Sequence, residues 1–305
     1  MKIATKKILP TAWILLLLCP GIWQPLNAQK NTIENALFWR ISGNGVNKPS
    51  YLFGTYHLLN SGYLETIPAV ENAFEHADGV VVETELDSSK MLQMMFLMVM
   101  PDKKISDLLS EEDYKLVTTE VVDATGASMD MLAQLKPTSI TLILTVVYAQ
   151  KENQTELNKY GGHPLDSYFA TAGKKNNKTV ATFESMEEQM QILFDHDPVE
   201  EQAKQLVEFI KSKDDMIKAQ SDLIKMYLNQ DLSGMYRLYR KYQKQFGDAT
   251  YLLDDRNEKW IEKLPGYIEE GNQFIAVGAM HFTGDKGLIK LLREKGYTLT
   301  PLPLR

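Results

Sequence analysis

Short runs of β-branched and aromatic residues lie near both ends of the chain, and long helical tracts separate them. Such runs, bounded by glycine or turn residues, are typical of strands. They are Leu37–Ile41, Ser50–Phe53, Gly79–Val82, Lys178–Phe183, Gln273–Val277 and Tyr297–Leu302. Apolar residues at helical spacing fill roughly residues 88–173 and 186–271, and another helix is expected to begin at Pro68. This order predicts an α/β fold, with a central mixed sheet flanked by helices and a large helical insertion.

Length and composition fit a globular protein and exclude several other classes. The 305 residues are 44% hydrophobic and 24% charged, which excludes wholesale disorder, a collagen-like chain and a multi-span membrane protein. Acidic residues outnumber basic ones, 40 to 33, and no basic cluster interrupts them. Binding to nucleic acid through phosphate neutralisation is therefore not expected.

The first 28 residues have the three-part plan of a secretory signal peptide. Three lysines precede the apolar run Trp13–Leu18, and the segment ends in Leu26-Asn27-Ala28. The apolar run is too short to cross a bilayer comfortably, which disfavours an uncleaved membrane anchor. We therefore expect cleavage after Ala28, a mature domain of residues 29–305 without a transmembrane span, and export to a periplasmic or extracellular location.

The only cysteine, Cys19, lies inside this N-terminal segment. Leu16-Leu17-Leu18-Cys19 lacks the small residues usually wanted before a lipidated cysteine, so a lipoprotein is the less favoured alternative. A mature chain without cysteine has no disulfide, thiol nucleophile or thiolate metal ligand. Loss of the segment also removes three lysines and leaves 30 basic against 40 acidic residues, a net charge of −10.

Two of the five histidines close a Gly-x-x-His tetrapeptide directly after a predicted strand. Gly54–His57 follows the second strand, and Gly278–His281 follows the fifth. Ligand crevices of open α/β sheets lie beyond the carboxyl ends of strands, where loops present side chains. A glycine there allows a sharp turn or a close approach to a ligand, and a histidine three residues on can face the crevice.

Two carboxylates occupy equivalent places, because Glu83 and Glu184 each follow a predicted strand. Two imidazoles and two carboxylates form a plausible set of ligands and acid/base groups for a divalent metal with an activatable water. The alternative is that the histidines are hydrogen-bonded packing residues and the glutamates are solvated. Glu85 shares a strand face with Glu83 and is the main rival for the carboxylate role.

Two apolar stretches have more than one interpretation. Met91–Met100 contains five methionines in ten positions. A soft-metal site could use thioethers, but adaptable packing by a core helix or over a binding groove is favoured. Thr138–Ala149 is too short to span a membrane and is predicted to form a buried helix.

The ordered motifs of the chain resemble those of the TraB/GumN family, whose animal relatives are the Tiki metalloproteases. Each motif is weak alone, and their ordered combination over nearly all of residues 29–305 is fairly specific. The matching segments are Tyr51–His57, Val81–Glu85, Pro164–Phe169, Phe183–Gln189, Asp255–Trp260, Ala276–Gly284 and Gly287–Tyr297. The resemblance implies one TraB/GumN-like domain with a central sheet flanked by helices.

In the Tiki branch these motifs accompany peptide hydrolysis that depends on a divalent metal, usually manganese or cobalt. Carried over position by position, the resemblance places His57 and His281 at the motif histidines and Glu83 at the early glutamate. The leading hypothesis is therefore an exported metal-dependent hydrolase, a peptidase acting on a peptide or protein. In this hypothesis His57, Glu83 and His281 hold manganese, cobalt or zinc.

Three further residues in the matching motifs receive roles in this hypothesis. Glu184 is the candidate general base for the water, since a desolvated glutamate near the reaction can have a raised pKa. Arg256 either stabilises the developing oxyanion or pairs with Glu184 or Asp166. Asp166 is expected behind a histidine, which it orients.

Two other functions stay open. One is a metal-free, esterase-like hydrolase in which one histidine is the base and Glu83 or Glu184 orients it. The other is a non-enzymatic binding protein, for haem or a peptide, whose histidines bind without turnover. A shared fold hosts different activities, so the site itself must decide between them.

Overall fold

Six strands form one mixed sheet in the computed structural model of the protein, which describes residues 33–85 and 88–305. The strands are β1 (Phe38–Gly43), β2 (Ser50–Thr55), β3 (Gly79–Val82), β4 (Thr179–Thr182), β5 (Gln273–Gly278) and β6 (Tyr297–Pro301). Their order across the sheet is β4-β3-β5-β2-β1-β6. All the predicted strands are present, with bounds that agree within two residues. The predicted signal peptide, residues 1–28, lies outside the described residues.

Four neighbouring strands of the sheet run parallel, in the order β4, β3, β5 and β2. By contrast, β1 pairs antiparallel with both β2 and β6. A tight turn at Gly43, Asn44 and Gly45, all with positive φ, joins β1 to β2. Because parallel neighbours end at the same edge of a sheet, the residues that follow β2, β3, β4 and β5 meet there.

Helices surround this sheet and make up most of the rest of the described chain. They are α1 (Pro68–His76), α2 (Met91–Leu97), α3 (Glu111–Thr125), α4 (Met129–Leu132), α5 (Pro137–Leu157), α6 (Leu165–Lys175), α7 (Met186–Phe194), α8 (Val199–Lys211), α9 (Lys213–Leu228), α10 (Leu232–Phe246), α11 (Thr250–Glu269) and α12 (Leu288–Glu294). As predicted, the first helix begins at Pro68, whose fixed φ suits a first turn. Within residues 33–85 and 88–305, no helix is both long and apolar enough to cross a membrane.

The buried apolar side chains form two hydrophobic cores. The larger core lies on the sheet and includes Trp39, Phe53, Phe169 and Phe274. The smaller core belongs to the helical insertion, where α3, α4, α5, α8 and α9 pack together. The insertion is thus a folded layer with its own core, and the predicted α/β fold with a central mixed sheet and a helical insertion is confirmed.

The methionine-rich run does not form a core helix. α2 has only seven residues and packs against α7, so it buries one side. More than half of the surface is exposed for four of its apolar side chains: Met91, Leu92, Met95 and Phe96. Met94 is buried, so the core-helix interpretation is wrong for most of this segment, while packing over a binding groove stays a prediction. The helix predicted at Thr138–Ala149 forms part of α5, but it is buried on one side only, with Leu142 43% exposed.

Helix α7 begins with a capping box just beyond the end of β4. Ser185 Oγ accepts a hydrogen bond from the Glu188 N–H at 3.1 Å, and the Glu188 carboxylate accepts one from the Ser185 N–H at 2.7 Å. We expect Ser185→Ala to lower the free energy of unfolding by about 1 kcal/mol, because it removes one acceptor for the first turn. Urea denaturation measures the loss. Ser106→Ala, at an exposed serine, is the control, and an equal loss in both variants would contradict the prediction.

Candidate active site

Four strand ends bring the residues predicted for the site to one edge of the sheet. His57 follows β2, Glu83 follows β3, and Glu184 follows β4. His281 lies in the short 3-10 helix Ala279–Phe282, directly after β5. The two imidazoles and two carboxylates that the sequence grouped therefore stand at neighbouring strand ends.

Gly278 forms the floor of the site. A methyl group added to its Cα would lie 3.3 Å from Glu83 Oε1, 3.7 Å from His281 Cδ2 and 3.9 Å from His57 Nε2. Glu83 Oε1 also accepts a hydrogen bond from the Gly278 N–H at 2.7 Å. The three residues predicted as metal ligands thus border one small volume, which a side chain at position 278 would fill.

Gly54, the first residue of the other tetrapeptide, has a packing role. A Cβ at this position would lie 2.9 Å from Ala279 Cα and 3.0 Å from a ring carbon of Phe282. Glycine therefore lets the 3-10 helix that carries His281 approach β2 closely. Each Gly-x-x-His tetrapeptide thus begins with glycine for a different reason. Gly54 allows close packing, and Gly278 keeps the site open.

His281 is buried, and its neighbours fix its tautomer. Its Nδ1 lies 2.7 Å from Asn257 Oδ1. Asn257 Nδ2 donates to the carbonyls of His281 and Lys286, so Oδ1 is the acceptor and His281 Nδ1 carries the proton. Burial lowers the pKa of His281 to about 3. A neutral ring therefore turns its unprotonated Nε2 toward Glu83, whose Oε1 lies 3.7 Å away, and toward Arg256, whose Nη1 lies 3.3 Å away.

His57 is the exposed histidine of the pair, with 72% of its side chain accessible. Its Nδ1 lies 2.5 Å from Asp166 Oδ2, and Asp166 Oδ1 accepts a hydrogen bond from Thr55 Oγ1. The Asp166 carboxylate raises the pKa of His57 to about 9. Asp166, in the first turn of α6, therefore holds the ring so that Nε2 points over Gly278.

The buried guanidinium of Arg256, from α11, connects both glutamates to His281. Nη2 donates to Glu83 Oε2 at 2.6 Å and to Glu184 Oε1 at 2.5 Å, while Nε donates to Glu184 at 3.1 Å. Nη1 donates to the Leu252 carbonyl at 3.0 Å and lies 3.3 Å from His281 Nε2. All five N–H groups of Arg256 are thus engaged by neighbours.

The electrostatic surroundings hold Glu83 in its charged form. Burial alone would raise the pKa of Glu83, but the charges of Arg256 and His57 and the Gly278 N–H outweigh burial and lower it. Gln189 Nε2, from α7, also lies 3.3 Å from Glu83 Oε2. The carboxylate is therefore available as an anionic ligand at any ordinary pH.

Glu184 lies at the back of this cluster and is nearly inaccessible to solvent. Both of its oxygens accept hydrogen bonds from Arg256, and Trp260 Nε1 donates to Oε2 at 3.3 Å. Of the two alternatives for Arg256, this geometry favours pairing with Glu184. The rival carboxylate Glu85 points elsewhere, because it pairs with Lys174 at the surface.

Sequence reasoning did not single out Asn257, Trp260 or Gln189 as parts of the site, although each lies in a segment it had matched. The available signal was helical spacing. On α11, Arg256 and Trp260 are four residues apart and lie on one face, and the Arg256 guanidinium stacks 4.6 Å from the Trp260 ring. An asparagine in the middle of a helix and fully buried, as Asn257 is, also needs a polar partner.

The described side chains offer one pair of donor atoms that a single ion could bridge, and they do not form a set of three. Within residues 33–85 and 88–305, no group of three or more His, Cys, Asp or Glu side chains has metal-holding separations. Two ligands of one ion, each about 2.1 Å away from it, are at most about 4.2 Å apart. The 3.7 Å between His281 Nε2 and Glu83 Oε1 fits that limit. Both imidazoles also have Nδ1 tied to an oxygen, as metal-bound histidines commonly do.

The fold and the site define an α/β protein with a cluster of histidine, carboxylate and arginine at the carboxyl edge of its parallel strands. Residues 37–301 match the model of the TraB/PrgY/gumN family. The chain belongs to that family, as its ordered motifs predicted. The comparison with curated proteins and the comparison with solved structures gave no match.

Proposed function

We propose that this protein is a metal-dependent hydrolase that cleaves peptides, with His57, His281 and Glu83 as the ligands of a manganese, cobalt or zinc ion. The observation that carries the proposal is the open volume above Gly278, which the three side chains border together. Two imidazole nitrogens and one carboxylate oxygen are acceptable ligands for each of these metals, and the ion would displace the Nε2 proton that His57, with its pKa of about 9, carries at neutral pH. The ion would lower the pKa of a bound water and polarise the scissile carbonyl.

The surrounding residues of the chain would position this set. Asp166 fixes the ring of His57, and Asn257 fixes that of His281, each through Nδ1. Histidine ligands whose rings are held by such hydrogen bonds bind a metal more tightly, and in one geometry, than rings that can rotate. Arg256 balances the charge of Glu83 and keeps the second oxygen of that carboxylate turned away from Gly278.

Glu184 is retained in the proposal as the candidate general base. Both of its oxygens already accept hydrogen bonds, so proton transfer to Glu184 requires the Arg256 guanidinium to shift. The alternative within the same site is that Glu184 only anchors Arg256. A Glu184→Gln variant that keeps its rate at every pH would favour the anchoring role.

One observation supports a second candidate function, a metal-free hydrolase. His57 is exposed and lies 2.5 Å from Asp166, the pairing by which a carboxylate orients a histidine base. Here Asp166, rather than Glu83 or Glu184, is the orienting carboxylate. Activity that survives exhaustive chelation would favour this reading.

Export to the periplasm or cell exterior is part of the proposal. The N-terminal pattern of lysines, apolar run and Ala28 supports it. A site without thiolate ligands is also compatible with an oxidising compartment.

The experiment compares two glutamates that stand two residues apart. Protein dialysed against a chelator is expected to lose cleavage of internally quenched fluorogenic peptides and to regain it with Mn²⁺, Co²⁺ or Zn²⁺. Glu83→Gln should reduce the regained rate by about 10- to 100-fold, because an amide is a weaker ligand than a carboxylate. Glu85→Gln should retain the rate, since Glu85 pairs with Lys174. Absence of cleavage with every metal, or equal rates in both variants, would overturn the proposal.

A further inference from the structure

A cleft of about 640 Å³ opens beside His57. One wall consists of His57, Leu58 and Asn60 after β2, together with Pro164 before α6. The opposite wall is α5, with Ala124 of α3 beside it. The cleft therefore lies where the surface of the helical insertion faces the edge of the sheet that carries the site.

The α5 wall has the length of a short extended peptide. It runs from Val147 to Asn158, with a kink at Asn153, and its length is at most about 16 Å. An extended chain advances about 3.3 Å per residue, so about five peptide residues would lie alongside it. Val147 and Leu157 supply apolar contacts near the two ends of this wall.

Amide side chains line the same wall at helical spacing. Gln150, Gln154 and Asn158 all line the cleft, although α5 is kinked at Asn153, where φ is −111° and ψ is 15°, and Asn158 caps its end. Their side-chain amides have no hydrogen-bond partner in the described part of the chain, and each amide can both donate and accept. A peptide backbone presents the complementary N–H and C=O groups in alternation.

The cleft is free of carboxylates although the chain is acidic. The residues that line it include no aspartate or glutamate, while the chain has 40 of them. Lys151 lies among the amides, is exposed, and forms no ion pair with any described residue. Glu152, the next residue on α5, is not part of the lining. A ligand with a carboxylate would therefore meet an attractive charge and no acidic side chain in the lining of the cleft.

We infer that this cleft binds an extended peptide segment of about five residues bearing a carboxylate, with Gln150, Gln154 and Asn158 pairing with its backbone and Lys151 with the carboxylate. The inference deepens the proposed function and rests on it, because it takes His57 as the reacting end of the cleft. The carboxylate can belong to an acidic side chain or to the C-terminus of the peptide.

The test uses octapeptides with an acetylated N-terminus and an amidated C-terminus. The peptides are identical except at one position, which carries Asp, Asn or Lys. Fluorescence anisotropy measures the binding of the peptides to protein from which a chelator has removed the metal. Cleavage by metal-loaded protein gives kcat and KM. Lys151→Glu should weaken binding of the Asp peptides about tenfold, strengthen binding of the Lys peptides, and change KM rather than kcat. Lys175→Glu, the same charge change at the far end of α6, should alter binding less than about twofold.

A second pair of variants tests the amides. Gln150→Ala combined with Gln154→Ala should weaken binding of all the octapeptides about tenfold, whatever their charge, because it removes hydrogen bonds to the backbone. Glu152→Ala, on the same helix but outside the cleft, is the control. Alanine suits a helix at each of these positions, so circular dichroism should not change.

The outcomes separate this inference from the proposed function. Cleavage of peptides with equal effects of Lys151→Glu and Lys175→Glu would overturn the inference and leave the hydrolase in place. Charge-selective binding that Lys151→Glu abolishes, without cleavage under any metal, would support the inference and remove the hydrolase. Absence of binding by every octapeptide, whether its C-terminus is amidated or free, would overturn the inference. Recovery of binding by an Asn peptide with a free C-terminus would identify the terminal carboxylate as the bound group.

Discussion

Replacement of Arg256 by methionine is expected to lower the free energy of unfolding by about 3–5 kcal/mol. The guanidinium is buried and bonds to Glu83 and Glu184, which are themselves nearly inaccessible. Removing one partner of a buried ion pair leaves an uncompensated charge, and here two carboxylates lose the same partner. Methionine preserves much of the apolar contact with Trp260, so the loss reports mainly on charge. Denaturant unfolding of the purified protein measures it.

The loss should depend on pH. The surroundings of Glu83 lower its pKa, so wild-type stability gained from its charged form is present above pH 5 and falls away at lower pH. Without Arg256 the buried carboxylates take up protons more readily. As the pH falls, the free energy of unfolding of the variant therefore approaches that of wild type. The difference between the two proteins should therefore be smaller at pH 4 than at pH 7.

A matched variant separates burial from charge. Arg293 also pairs with a glutamate, Glu34, but both side chains are more than two-fifths exposed. Arg293→Met should therefore lower the free energy of unfolding by about 1 kcal/mol or less. Equal losses in the Arg256 and Arg293 variants would show that the buried network contributes no more than a surface pair.

Gly278→Ala is expected to abolish metal-stimulated cleavage while leaving the fold intact. The added methyl group would stand between Glu83 Oε1, His281 and His57 Nε2, in the volume that the proposed ion needs. The backbone of Gly278 has φ −52° and ψ 134°, which alanine adopts freely. Exclusion of the ion removes a contribution of about 4 kcal/mol to transition-state stabilisation, equivalent to about a 1,000-fold lower rate.

The unfolding midpoint of the Gly278 variant should stay close to that of wild type. The 3.3 Å approach to Glu83 Oε1 needs only a small shift, and alanine restricts the unfolded chain. Calorimetric titration with Mn²⁺ should show weakened binding in parallel with the rate. Full activity in Gly278→Ala would place the reaction elsewhere in the molecule.

The sequence allowed prediction of the sheet and of the residues at its carboxyl edge. The strands followed by Gly-x-x-His or by glutamate can be recognised in the sequence from their apolar runs. Because these strands pair in parallel, the residues after them meet at one edge of the sheet: His57, Glu83, Glu184 and His281. Strand bounds were also accurate, because glycines and turn residues mark them. These features are local, so they can be read from a short window of sequence.

The supporting contacts could not be predicted in the same way. Asn257 orients His281 across 24 positions, and Gln189 reaches Glu83 across 106. Such partners depend on how α7 and α11 pack against the sheet, which periodicity does not specify. The exposed face of α2 was missed for a related reason. An apolar run predicts burial, but a seven-residue helix packed on one neighbour can bury only one side.

The separate cores of the sheet and the insertion have a consequence for how selectivity can change. Substitutions on the exposed side of α5, away from Leu157, which packs against the sheet core, leave the packing of Trp39, Phe53 and Phe274 undisturbed. A new preference among ligands can therefore arise through a few exchanges on one helical surface, without rebuilding the reactive centre. Under the proposed function, damage to the insertion should therefore change ligand preference before it changes the rate of the proposed reaction.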